Sequence, residues 1–166
     1  MPKPIPSLAA LISSLMISGG AMPQSCAPIE QHFAPAEDLE RIDVAEIAAA
    51  GETIDIAAYV LTDRAVIAAL TAAAERGVRV RVYHDHEARL GDVAALATAG
   101  AALRAKPAGS LMHLKAYCVD RRVLRIGAAN FSRSGLTEQD NDIEIIRGPA
   151  ACAAFAAKFE QMWSSK

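Results

Sequence analysis

The stretch that most constrains this chain is Thr53–Leu61, TIDIAAYVL, a nearly uncharged run that reads as a buried strand. Asp63 follows it and is placed to cap a helix running to Glu75, with Gly77 as its stop. Val78–Tyr83 then reads as a second strand. A further helix over Gly91–Thr98, ended by Gly100, leads to a short strand over Ala101–Ala105. Strand, helix, strand, helix, strand is the order of an α/β fold, in which helical crossovers make the strands parallel.

The flanks extend this frame. Glu30–Phe33 is a short extended segment closed by Pro35, and Glu37–Ala50 is a helix with Leu39, Ile42, Val44 and Ile47 as its apolar positions. Past residue 110 the pattern changes. Leu114–Val119 and Val123–Ile126 are strands joined through Asp120-Arg121-Arg122 as a hairpin, Ile143–Ile146 is another strand, and Ala150–Trp163 is a closing amphipathic helix. Apolar residues make up 52% of the 166, enough for a core and too many for wholesale disorder. The thirty-six alanines blur helical periodicity without removing it. A formal net charge of -2 excludes a chain that is basic throughout, though not a local basic patch.

The first 27 residues read differently from the rest. Lys3 supplies a positive start, Leu8–Ile17 is an uncharged apolar run, and Gly19, Gly20 and Ala21 are small residues suited to cleavage. That is the layout of an export signal, and the run is too short for a membrane span of about 20 residues. The expectation is a signal segment over 1–27 and a periplasmic or secreted domain over 28–166. In that compartment Cys26, Cys118 and Cys152 include one disulfide, with the pairing left open by the sequence.

The chemistry concentrates in Met112–Asp120, MHLKAYCVD. On a strand His113 and Lys115 share a face, so an imidazole able to attack lies beside an ammonium able to neutralise a phosphate. Gly127 lets the backbone approach a ligand, and Asn130 carries an amide that can donate to a phosphate oxygen. Arg104, Lys106, Lys115, Arg121, Arg122, Arg125 and Arg133 face only Asp120 in that window, a local excess suited to an anionic polymer. His84 and His86 alternate as metal ligands do, yet no third ligand stands at a convincing position, and a polar strand end is the better reading.

The spacing of His113, Lys115, Asp120, Gly127 and Asn130 resembles the signature of the phospholipase D superfamily: His-x-Lys, four residues, Asp, six residues, Gly-Ser-x-Asn. His32-Phe33-Ala34-Pro35, Ala58-Tyr59 and the closing Phe159, Met162 and Trp163 are similar to the branch of bacterial endonucleases with one motif per chain. The resemblance implies a mixed β-sheet flanked by helices, with the active site at a homodimer interface. It implies His113 as nucleophile, Lys115 and Asn130 as holders of the phosphate oxygens, and Asp120 as a support for the loop. Ser132, Gly127, Arg121, Arg122, Arg125 and Arg133 complete the expected substrate-binding set. No metal or cofactor is implied, because the lysines supply the positive charge.

Two positions depart from the signature. Ala128 stands where relatives have serine, and Asn141 stands where they carry the glutamate that orients a histidine, so Asp142 is expected to take that role. The expected function is a phosphodiesterase that hydrolyses DNA or RNA with little sequence preference. A lipid headgroup hydrolase uses the same chemistry, and a weakly active nucleic-acid-binding homologue is the reading that Ala128 favours.

Overall fold

The computed structural model describes residue 1 and residues 28–165; the expected signal segment and Cys26 lie outside the described residues. Seven strands form one mixed sheet. In chain order the elements are β1 (Ile29–Ala34), α1 (Leu39–Ala48), β2 (Thr53–Leu61), α2 (Arg64–Glu75), β3 (Arg79–Leu90), α3 (Ala94–Thr98), β4 (Ala102–Ala105), β5 (Lys115–Val119), β6 (Val123–Gly127), α4 (Arg133–Thr137), β7 (Asn141–Arg147) and α5 (Ala153–Ser164). Across the sheet the strands run β1-β7-β6-β5-β2-β3-β4.

The expected crossovers hold for β2, β3 and β4, which are parallel neighbours. The remaining pairings are antiparallel, so the sheet changes character at the β2–β5 junction. The Asp63 carboxylate caps α2 through the Val66 amide at 3.0 Å, as the sequence indicates. β3 runs seven residues beyond Tyr83, where a register shift between Ala58 and Val60 of β2 breaks the ladder. That extension shortens the expected helix over 91–98 to the five residues of α3. The small helix α4 is absent from the sequence reading, because Ser132-Arg133-Ser134-Gly135 carries no apolar period; Ser132 caps it through the Gly135 amide.

Two cores sandwich the sheet. On one face α1, α2, α3 and α4 bury Leu39, Ile47, Val66, Leu70, Leu96 and Leu136 against Ile54, Ile56, Tyr117 and Ile143. On the other, α5 alone packs Phe155 and Phe159 on Ala57, Tyr83, Cys118 and Leu124. This helix is fastened twice. A disulfide joins Cys118 of β5 to Cys152 at its start, settling the pairing that the sequence leaves open. Buried Arg81 grips Asp55 through two hydrogen bonds of 2.7 Å, reaches Glu160 of α5 at 2.6 Å and lies over the Phe159 and Trp163 rings. Because α5 sits over β2, β3 and β5, the β1–β7 side of that face keeps exposed apolar groups, Ile29 and Phe33 among them.

Candidate active site

The two halves of the motif meet at the end of the sheet where β2 finishes. Lys115 pairs with Ala58, the Tyr59 amide donates to the Leu114 carbonyl at 3.1 Å, and Phe131 bridges to Leu61. Asn130 is thereby held beside the strand end that supports His113 and Lys115. The Lys115 side chain is buried, and its Nζ lies 3.0 Å from Nδ1 and 3.5 Å from Nε2 of His113. Burial, with Arg125 nearby, lowers the Lys115 pKa from the ordinary lysine range. The His113 ring is exposed and rests 4.4 Å from the Tyr59 ring, which the Lys115 ammonium also faces. Asn130 Oδ1 is buried with no hydrogen-bond partner, an acceptor left for a group that arrives.

A buried polar network carries this arrangement from below. Arg125 and Asp43 are both fully buried and ion-paired, with Arg125 Nε 3.2 Å from the carboxylate, and the Tyr117 hydroxyl donates to the same carboxylate at 3.0 Å. The other guanidinium nitrogens donate to the carbonyls of Lys115 at 2.8 Å and Ala129 at 3.1 Å. One arginine therefore ties the His-x-Lys strand to the loop bearing Asn130. Arg125 was expected to bind substrate; with no solvent exposure it cannot, and it is instead the girder between the two halves of the site. The signal for Asp43 was present: it falls between Leu39 and Ile47 on the buried stripe of α1, where a carboxylate needs a partner.

Residues 44–163 match the family model described as "Cardiolipin synthase, PLD-like domain". The chain belongs to the phospholipase D-like family.

Relatives of this phospholipase D-like chain agree on the fold. The structure of Nuc from Salmonella typhimurium, a phospholipase D family member, superposes with a TM-score of 0.75 at 25% identity, covering 82% of this chain and 93% of that one. NucT from Helicobacter pylori gives a TM-score of 0.72 at 18% identity, covering 83% and 96%. Among curated proteins, a mitochondrial cardiolipin hydrolase of Chlamydomonas reinhardtii is 26% identical over 148 residues, 87% of this chain. The chain spans 64% of that relative's length.

The phospholipase D-like signature does not assemble as a single cluster. Asp120 lies at the opposite end of β5 from Lys115, about 16 Å away at strand rise. Its carboxylate accepts the amides of Gly51 at 2.9 Å, and of Glu52 and Thr53 at 2.8 Å each. Burial alone would raise its pKa, but these three donors together hold it below the usual value. Asp120 is thus a clasp on the start of β2, a supporting role away from the reacting groups and not a catalytic one. Arg121 and Arg122 belong to the same far turn, in which Asp120 and Arg121 have φ of 50° and 56° and the Arg122 amide closes onto Val119 O.

Other expectations are corrected by the same packing. Gly127 has φ of 149°, and a Cβ there would collide with the Asp142 carbonyl and come within 2.8 Å of Ile143 Cα, so its freedom serves strand β7 rather than a ligand. Ser132 uses its oxygen to cap α4. Asp142 shares strand parity with Glu144, opposite to buried Ile143 and Ile145, and so lies on the other face of the sheet from Lys115. Its carbonyl accepts the Ala128 and Ala129 amides, and its carboxylate makes no hydrogen bond to His113 among the described residues. Arg133 is exposed, 3.4 Å from Glu138, and borders a hollow lined by Glu37, Asp38 and Glu40. The seven cations of the window therefore do not form one groove. His84 and His86 are engaged with the Asp85 carbonyl and carboxylate respectively.

Proposed function

We propose that this chain is a metal-independent phosphodiesterase that works as a homodimer through a phosphohistidine, with nucleic acid as its substrate. The observation that carries the reading is the exposed His113 imidazole held against the buried Lys115 ammonium. One His113 attacks phosphorus, forming a P–N bond as the P–O bond to the leaving group breaks. The partner subunit's His113 gives its proton to that leaving oxygen, then takes one from water, which attacks phosphorus and releases the first imidazole. Lys115 stabilises charge on the non-bridging oxygens.

One chain offers one His113, so this scheme needs two copies. Support for pairing comes from exposed Leu111 and Leu114 flanking His113. The likeness to Nuc, whose name points to a nuclease, favours nucleic acid. An exported, oxidising location is supported by the Cys118–Cys152 disulfide together with the apolar N-terminal run.

A lipid headgroup hydrolase is the second reading. It is favoured by the dispersal of the arginines and by the leucines beside His113, and the curated relative is named for cardiolipin hydrolysis. Supercoiled plasmid, single-stranded DNA and cardiolipin vesicles, each with wild type and His113→Ala in EDTA, separate the readings. Nucleic-acid cleavage lost in the variant supports the nuclease; cleavage of cardiolipin alone overturns that substrate and keeps the chemistry. Salt-sensitive DNA binding without turnover, unrescued by Ala128→Ser, identifies a binding module instead.

A further inference from the structure

The loop that delivers His113 is anchored on a carboxylate that the scheme above does not use. Asp85 lies on β3 at the break in the ladder, directly after the last residue paired with β2 before the register shift, and is fully buried. A buried carboxylate is costly unless its oxygens are satisfied. Oδ2 accepts the Met112 amide at 2.6 Å, Oδ1 accepts the Glu87 amide at 3.0 Å, and His86 Nδ1 stands 3.2 Å from Oδ1. The loop before Met112 is tied to the same strand, because the Lys106 amide donates to the His84 carbonyl at 2.7 Å and the Lys106 ammonium reaches the Ser110 carbonyl. Met112 itself is buried in the core under α5.

His113 is therefore bracketed. The residue before it is fixed through its amide to Asp85, and the residue after it is fixed through its carbonyl to Tyr59. Among the described residues no carboxylate touches the imidazole; Lys115 and Tyr59 meet the ring, and the backbone on either side sets the point from which it projects.

We propose that Asp85 is a positioning residue for His113, aiming the imidazole through the Met112 amide. This rests on the reading of His113 as the reacting group. A displacement of about 1 Å at a nucleophile costs on the order of 100-fold in rate, and Asp85→Ala removes the anchor on one side of the bracket.

The test uses the full chain with histidine rings labelled for NMR, the His113 signals being assigned by their loss in His113→Ala. Packed on Tyr59, those signals are displaced from free-histidine positions. In Asp85→Ala they move toward free positions and kcat falls about 100-fold with KM within threefold. Asp85→Asn keeps one acceptor oxygen for Met112 and stays within tenfold of wild type. Unchanged His113 signals and kcat in a folded Asp85→Ala protein overturn the proposal, even if Tm is lower. If Asp85→Ala does not fold, Asp85→Ser, whose shorter side chain loses the Met112 amide, decides: wild-type signals and rates then make Asp85 structural, whereas shifted signals with reduced kcat uphold the positioning role. Should wild type cleave no phosphodiester, the functional reading fails on its own, and the signals still judge Asp85.

Discussion

Replacing Asp43 by alanine should be among the most damaging single changes available, although Asp43 lies beneath the site and touches no solvent. The substitution leaves the Arg125 guanidinium charged and buried without a counter-ion, and takes the acceptor from the Tyr117 hydroxyl. Removing one partner of a buried pair costs about 3–5 kcal/mol. For a folded body of roughly 140 residues, an unfolding entropy of about 2.1 cal/mol/K per residue converts this to a Tm lowered by about 10–17 °C. Calorimetry or thermal circular dichroism at neutral pH reads the shift. The double variant Asp43→Leu/Arg125→Met removes both charges and should recover much of the loss. It should not recover kcat, because the carbonyls of Lys115 and Ala129 lose their shared donor. A Tm lowered by less than about 4 °C in Asp43→Ala, or a double variant no better than the single one, refutes the argument that the buried pair supports the site.

Three further outcomes follow from the same packing. Cys118→Ala/Cys152→Ala opens a loop of 34 residues and should cost about 3–4 kcal/mol, read as a lower denaturant midpoint that matches wild type under reductant. Asp120 has a depressed folded pKa against about 3.9 in an unfolded chain; the unfolded state therefore binds more protons in acid, and the stability Asp120 contributes is present above pH 4 and lost as pH falls below it. Asp120→Asn should lower stability by about 1–3 kcal/mol at pH 7 and flatten the acid limb of a Tm-against-pH series. Gly127→Ala forces a side chain against the backbone of β7 at a positive φ, and should lower Tm, read by thermal circular dichroism.

Much of this architecture was legible from local signals. The apolar run of β2, the Asp63 cap and Gly77 specify a crossover unit, and the Asp120-Arg121 hairpin follows from turn chemistry. His113 and Lys115 meet, although His113 lies in the loop before β5 and not on the strand where alternation was expected to place it. What escaped was non-local. Whether an arginine reaches solvent or a carboxylate depends on a partner far along the chain: Arg125 meets Asp43 82 residues away, and Asp85 meets Met112 27 residues away. The β1–β7 pairing, which places Asp142 on the wrong face, joins the ends of the domain and leaves no local trace.

The length of β5 has a consequence for descent. The proposed reacting pair stands at the head of this strand and a structural clasp at its foot, so a single short motif encodes two separable properties. Selection for a stable fold retains Asp120 whether or not anything is ever cleaved. A descendant that lost His113 but kept Asp120 and Gly127 would remain folded and recognisable, free to become a scaffold or a decoy. In this chain the aspartate answers for the fold, and the proposed chemistry falls to the histidine and lysine.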